Sequence, residues 1–220
     1  MSMVRPVKIR KVTVGPLETN CYILINEDTN NAVVVDPGWD SNKIIKALGD
    51  AHIKYIIATH GHFDHVSAIK NLKETKGGLF IIHKLDLEML SYSRVSSYLF
   101  LGVNIDEPPA PDIAIDDEPE IDFENLKLKI IHTPGHSPGS ISIYINEINI
   151  LLSGDTIFMG SIGRTDIPGG SDEKLRSSLK RLFQILPDTT IIYPGHGPNT
   201  TVGRERSINP FVNDILFSNH

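Results

Sequence analysis

The stretch Thr59-His60-Gly61-His62-Phe63-Asp64-His65 sets four metal-ligating side chains within six residues. Imidazole nitrogens and a carboxylate suit divalent first-row metals, and crowding them at one point would leave them repelling or unsatisfied without a cation to share. Gly61 lets the backbone bend so that His60 and His62 aim at one point, while Asp64 and His65 open the segment that follows. The pattern therefore offers two ligand sets, and its chemistry would be metal-assisted activation of water. Three later positions add to it: His136 in Thr-Pro-Gly-His, Asp155 in Ser-Gly-Asp and His196 in Pro-Gly-His. Taken singly, each reads as a turn, cap or strand-end residue; taken with the first cluster they make seven ligands, enough for two metals. The other histidines, His52, His83, His132 and His220, read as surface or satisfied core residues.

These side chains need strands to deliver them. The apolar run Ile53 to Ala58 reads as a buried strand whose carboxyl end carries the cluster, the place where open α/β sheets keep their sites. Before it, Val7 to Val14, Cys21 to Asn26 and Ala32 to Asp36 predict an antiparallel meander ended by Asp36-Pro37-Gly38. Ser41 is expected to cap a helix through Leu48, with Gly49 beyond its end. After the cluster, one helix is expected from Asp64 to Lys76, then a break at Gly77-Gly78, a strand from Leu79 to Ile82 and a helix from Lys84 to Leu90. Ser91 to Asn104, with Tyr92, Tyr98 and Phe100, reads as packed wall in preference to a lid. The second half repeats the scheme. Leu126 to His132, Ile141 to Ile145 and Asn149 to Leu152 predict strands, Ser171 caps a helix from Asp172 to Ile185, and Thr190 to Tyr193 predicts a last strand into Pro194-Gly195-His196. Two α/β halves with ligand-bearing loops converging on one edge are the expected arrangement.

At 220 residues, 40% hydrophobic and 22% charged, the chain fits one globular domain, 1-220. Its net charge of −6 is uneven: Asp106 to Glu124 holds nine acidic residues and no basic one, so the remainder carries +3. That proline-rich stretch reads as a solvated surface loop. No basic block with interleaved aromatics suggests nucleic acid, no apolar run approaches the ~20 residues of a membrane span, and Met1 to Lys11 shows no apolar signal region. The single cysteine, Cys21, excludes an intramolecular disulfide and suits a reducing, cytoplasmic setting. Its position in an early strand makes it a small core residue.

The motifs His60-x-His62-x-Asp64-His65, Thr133-Pro134-Gly135-His136, Ser153-Gly154-Asp155 and Pro194-Gly195-His196, in that order, resemble those of the metallo-β-lactamase fold family. The resemblance implies a four-layer αββα sandwich, two mixed sheets flanked by helices. It implies that His60, His62 and His136 hold one metal, that Asp64, His65 and His196 hold the second, and that Asp155 bridges them. Retention of Asp155 points to glyoxalase II-type hydrolases. Gly160 to Asp166 resembles a loop shared by compact glyoxalase II-like hydrolases and persulfide dioxygenases, and Asn209-Pro210-Phe211 resembles the former branch. Two features depart from the glutathione-specific enzymes. Only 24 residues follow His196, where those enzymes carry a helical domain, and Gly197-Pro198 stands where they have Glu and Tyr.

The implied mechanism uses two divalent metals, zinc first with iron or manganese as alternatives, and a metal-bridging hydroxide as nucleophile. Two such ions against Asp64, Asp155 and hydroxide leave roughly one net positive charge to stabilise an oxyanion. A thiolate of pKa about 8.5 departs without a proton donor, and the core acids are committed to metal, so a small-molecule thioester fits better than a peptide. Arg164 is the candidate for gripping a substrate carboxylate, with a brace to Asp166 as its structural alternative. The competing enzyme reading is a persulfide dioxygenase with one iron on His60, His136 and Asp155. A non-catalytic metal-binding protein and a nuclease rank below both.

Overall fold

The computed structural model describes residues 7–217, so residues 1–6 of the N-terminal segment and His220 lie outside the described residues. The chain divides into two compact units. The first runs to Asp116 and includes Phe123–Asn125; the second takes Asp117–Asp122 and the chain from Leu126 onward.

In the first unit, β1 (Val7–Val14), β2 (Thr19–Asn26) and β3 (Asn31–Val35) form the expected antiparallel meander. Helix α1 (Ser41–Leu48) then crosses to β4 (His52–Ile57), which pairs parallel with β3. The route continues through α2 (Phe63–Val66) and α3 (Ile69–Lys76) to β5 (Leu79–His83), and through α4 (Leu87–Leu101) to β6 (Ile113–Ile115). β4, β5 and β6 pair in parallel, giving a six-stranded sheet in chain order. Ile44 and Leu48 of α1 and Ile69 and Leu72 of α3 pack with Cys21, Ile23, Val34, Ile56 and Phe80 into one buried apolar cluster. Because β3 and β4 are parallel, their carboxyl ends lie side by side, and the Asp36 N–H donates to Ile57 O at 3.0 Å.

In the second unit, β7 (Glu120–Phe123), β8 (Leu126–His132), β9 (Ile141–Ile145) and β10 (Ile150–Gly154) precede the hairpin β11 (Ile157–Phe158) and β12 (Ser161–Ile162). Helix α5 (Asp172–Ile185) leads to β13 (Ile191–Pro194), β14 (Thr200–Thr201), α6 (Val202–Ile208) and α7 (Pro210–Phe217). The second six-stranded sheet runs β14-β13-β10-β9-β8-β7. β8 and β10 are each antiparallel to β9, and β13 is parallel to β10, so β8, β10 and β13 point the same way. Leu175, Leu179, Leu182 and Phe183 make one stripe along α5 at i, i+4, i+7 and i+8, packed with Leu151 and Ile192 of the sheet. Ser171 caps α5 as expected, its side chain accepting the Lys174 N–H.

Five expectations change. The single helix from Asp64 is two helices, because Ala68 turns its N–H to Pro37 O at 2.9 Å and the α2 ladder stops there. Ser41 is the first helical residue of α1 and Asp40 precedes it, with its carboxylate on the Gly15 N–H and Lys43. The acidic stretch is not wholly loop: it supplies the uncharged β6 to one sheet and β7, where Glu120 and Asp122 alternate with Ile121 and Phe123, to the other, and Ile115 and Phe123 are buried. Ser91 to Asn104 is largely α4, and Tyr92, Tyr98 and Phe100 are 57–67% exposed, so they are no packed wall. Lys84 to Leu90 is a 3₁₀ turn over Lys84–Asp86 running into that same helix.

Candidate metal centre

In the first unit the Thr59–His65 loop leaves β4 and doubles back into α2. His60, Asp64 and His65 are buried. The His60 ring lies 4.7 Å from that of His62 and 4.1 Å from that of His65, centroid to centroid. Ligand atoms of His60 and His62, of His60 and His65, and of Asp64 and His65 each lie within 4.8 Å of one another.

The orientation of these rings is set by a residue not predicted from sequence. Asp36, buried at the end of β3 with a left-handed φ of 53°, accepts the Thr59 N–H at 2.7 Å and the Thr59 hydroxyl at 2.9 Å. With its proton committed to Asp36, Thr59 Oγ1 is the acceptor for His60 Nδ1–H, 3.1 Å away. Asp36 Oδ2 also lies 3.1 Å from His65 Nδ1. The Thr59 bond places the His60 proton on Nδ1, and the charge of the Asp36 carboxylate beside His65 Nδ1 favours the proton there, so each ring keeps Nε2 as the lone-pair nitrogen, the form a metal requires. His65 Nε2 is 3.5 Å from Asp64 Oδ2, and Thr19 donates its hydroxyl to that same oxygen at 3.0 Å. Asp86, fully buried, accepts the Gly61 N–H at 2.9 Å and pins the bend between His60 and His62. Gly38 permits the approach behind Asp64: a Cβ there would lie 1.4 Å from the Asp64 carbonyl oxygen.

The second unit assembles the other three ligands. His136, Asp155 and His196 follow β8, β10 and β13, whose shared direction brings them to one edge of that sheet. Asp155 Oδ2 is 3.5 Å from His136 Nε2 and 3.5 Å from His196 Nε2. His136 Nδ1 donates to the Arg164 carbonyl at 2.9 Å, so its Nε2 also presents a lone pair. One carboxylate oxygen facing two imidazole nitrogens at that separation is the arrangement a cation reconciles. The donor chemistry of each unit therefore fits a divalent metal.

The bystander histidines behave as expected: His52 is exposed, His83 Nδ1 accepts the Leu85 N–H at 3.3 Å, and His132 Nε2 meets Pro138 O at 2.9 Å. Cys21 is buried, and that burial, with the Asp36 carboxylate adding to it, pushes the thiol well above its ordinary value, unsuited to nucleophilic attack. The Arg164 guanidinium is exposed and makes a two-point pair with Asp166 at 2.8 and 3.0 Å, while its carbonyl serves His136. It also borders a cavity of about 350 Å³ lined by Ile162, Thr165, Arg176, Phe211 and Ile215. Asp36 could have been flagged from sequence only by asking which strand lies parallel to the ligand-bearing one. Asp86 left no comparable signal.

Comparison with known proteins gives the same answer as the donor set. Residues 14–196 match the model of the metallo-beta-lactamase superfamily. The chain is 35% identical over 218 residues to the hydroxyacylglutathione hydrolase GloC of Haemophilus influenzae, covering 93% of this chain and 98% of that one. Among solved structures, the BLEG-1 B3 metallo-beta-lactamase superposes with a TM-score of 0.87 at 35% identity, over 93% of this chain and 99% of its own. TTHA1623, solved in a di-iron-bound form, gives 0.83 at 36% identity over 92% and 99%. Ligand chemistry, sheet topology and these likenesses together establish that the chain belongs to the metallo-beta-lactamase superfamily and is a metal-dependent hydrolase of that fold.

Proposed function

We propose that the protein is a thioester hydrolase of glyoxalase II type, with two divalent ions held by the seven ligands. In this reading His60, His62 and His136 hold one ion, Asp64, His65 and His196 the other, and Asp155 serves both. The observation that carries the choice of substrate is the likeness to GloC, a hydroxyacylglutathione hydrolase of which this chain covers 98%. A relative of the same compact length removes the need for an added helical domain. Zinc is the first candidate, and the di-iron form of TTHA1623 makes iron its main rival, with manganese third.

Bound divalent ions would supply a water deprotonated near neutral pH and positive charge for the developing oxyanion. The chain's own residues do the rest. Thr59, itself held by Asp36, keeps the proton on His60 Nδ1, the Asp36 carboxylate favours it on His65 Nδ1 and the Arg164 carbonyl holds it on His136 Nδ1, which leaves each Nε2 with its lone pair. Thr19 fixes Asp64 by its hydroxyl. Asp64 and Asp155 are committed as ligands, which leaves no general acid in the motifs and favours a leaving group that departs as an anion, such as a thiolate. Arg164 exchanges Asp166 for a substrate carboxylate. The lone buried thiol suits a cytoplasmic protein, and among the described residues no helix is long and apolar enough to cross a membrane.

The test is elemental analysis of the purified protein, then turnover of S-lactoylglutathione, an uncharged acyl thioester, a chromogenic β-lactam and a persulfide with an oxygen electrode. Two metals per chain with chelator-sensitive thioester turnover is the expected result. One iron with oxygen uptake on the persulfide, or a β-lactam turned over fastest, would replace it. Arg164→Ala should raise KM for the anionic thioester more than for the uncharged one; equal effects would remove Arg164 from the site.

A further inference from the structure

Behind the ligands of the second unit lies a buried carboxylate that the hydrolytic reading does not use. Glu205, on α6, has no solvent exposure. Its Oε2 accepts the Gly160 N–H at 2.7 Å and the Asn209 side-chain amide at 2.8 Å; its Oε1 accepts the Thr200 hydroxyl and Arg204. The same Asn209 Nδ2 donates to Ser161 O at 3.1 Å, and Asn209 Oδ1 accepts the Phe211 N–H at 3.1 Å at the head of α7.

The anchored segments are the ones that present the ligands. Gly160 lies in the turn of the β11–β12 hairpin and Ser161 opens β12; the hairpin leaves Asp155 at one end and reaches Gly163 and Arg164 at the other. At the far end Gly163 packs so closely that a Cβ would lie 1.9 Å from the Asp155 carbonyl oxygen and 3.3 Å from His136 Cβ, and the Arg164 carbonyl holds His136 Nδ1. On the other side, Thr200 pairs with Ile192 and so closes the loop that carries His196. One carboxylate thus ties the segment that sets Asp155 and His136 to the strand that closes the His196 loop.

We infer that Glu205, with Asn209, is a positioning residue for the metal centre, holding the hairpin and the His196 loop in one register so that Asp155, His136 and His196 face each other. Neither residue is a ligand, and neither touches the reacting atoms. The inference rests on the metal-hydrolase reading for its consequence but on hydrogen bonds for its geometry.

In Glu205→Gln one acceptor oxygen becomes an NH₂ that must point at Gly160 N–H and Asn209 or at Thr200 and Arg204, a donor against donors in a buried site. Zn²⁺ titration of the metal-stripped full chain against a competing chelator dye should show at least one equivalent bound about 10-fold more weakly. In the metal-free protein, the His136 Nδ1–H signal in a ¹⁵N-edited spectrum should exchange faster with water, a change that lowered stability alone does not produce well below Tm. Two milder variants keep the test alive should Glu205→Gln not fold. Asn209→Ala should disturb the His136 signal through the hairpin, whereas Thr200→Val should weaken Zn²⁺ binding through the His196 loop and leave the His136 signal in place. Folded variants with wild-type Zn²⁺ affinity and an unchanged imidazole signal would overturn the inference. A wild-type chain that binds no Zn²⁺, iron or manganese would instead sink the hydrolase reading, and the imidazole signal would still decide the role of Glu205.

Discussion

Replacing Asp36 by Asn tests the proposition that a carboxylate behind the first ligand cluster decides which nitrogen of each histidine meets the metal. The change is one atom in size. Asp36 Oδ1 receives the Thr59 N–H, and an amide oxygen can keep that bond; Oδ2 faces the Thr59 hydroxyl at 2.9 Å and His65 Nδ1 at 3.1 Å, and there an NH₂ must stand. His65 can then avoid donor against donor only by moving its proton to Nε2, the nitrogen 3.5 Å from Asp64. The Thr59 hydroxyl must turn as well, which loosens its contact with His60 Nδ1. The hydrogen bond from the Thr59 hydroxyl to the charged Oδ2 is worth roughly 1.5–3 kcal/mol, and with the lost attraction between the carboxylate and His65 Nδ1, offset by tautomer and hydroxyl relaxation, the cost should come to roughly 2–3 kcal/mol. For a chain of this size that corresponds to a fall in Tm of about 4–12 °C. Metal affinity should fall by about 10- to 100-fold, because the ligand nitrogen of His65 now carries a proton. Calorimetry in chelator gives the first number, dye competition the second, and long-range ¹H–¹⁵N correlation reads the tautomer of His65 directly. An Asp36→Asn protein that melts with the wild type and keeps His65 protonated at Nδ1 would refute the reasoning.

Other perturbations probe separate parts. Gly163→Ala drives a methyl to within 1.9 Å of the Asp155 carbonyl oxygen, so the backbone must move; activity should fall by at least an order of magnitude while far-UV circular dichroism is preserved. Ser171→Ala removes the bond to the Lys174 N–H at the start of α5 and should cost about 1 kcal/mol in urea unfolding, with activity per folded molecule unchanged. For pH, burial alone would raise the Glu205 carboxyl, but hydrogen bonds from Thr200, the Gly160 N–H, Asn209 and Arg204 outweigh it and hold the group below its ordinary 4.5. A depressed folded value means its stabilisation is complete above about 4.5 and is lost as pH falls through the lower, folded value; Tm should drop in that acid range, and the slope should lessen in Glu205→Gln.

Much of the molecule was legible in the chain. Ligand types in His60-x-His62-x-Asp64-His65 are a local fact, and alternating apolar runs sufficed to place β1 to β4, β8 to β10 and α5, because strand and helix periods are set by the nearest neighbours. Where the reading failed, longer-range forces had the last word. Burial of Ile115 and Phe123 turned parts of an acidic, proline-rich stretch into edge strands, and Pro37 O took the N–H of Ala68 and split a helix that local propensity would have run through. Tyr92, Tyr98 and Phe100 looked like core by composition, yet α4 presents them outward.

The sequence by itself determined which side chains can bind metal and at which strand ends they emerge. What only the tertiary structure decided is the proton on each ring. Asp36 is 23 residues from Thr59, and Glu205 is 45 from Gly160, so no local pattern links the buried carboxylates to the loops they hold. Those pairs meet because β3 lies parallel to β4 and because α6 follows β14 and α7 packs on β12, which brings Glu205 to the β11–β12 turn, and a hydrogen bond senses distance in space, not along the chain.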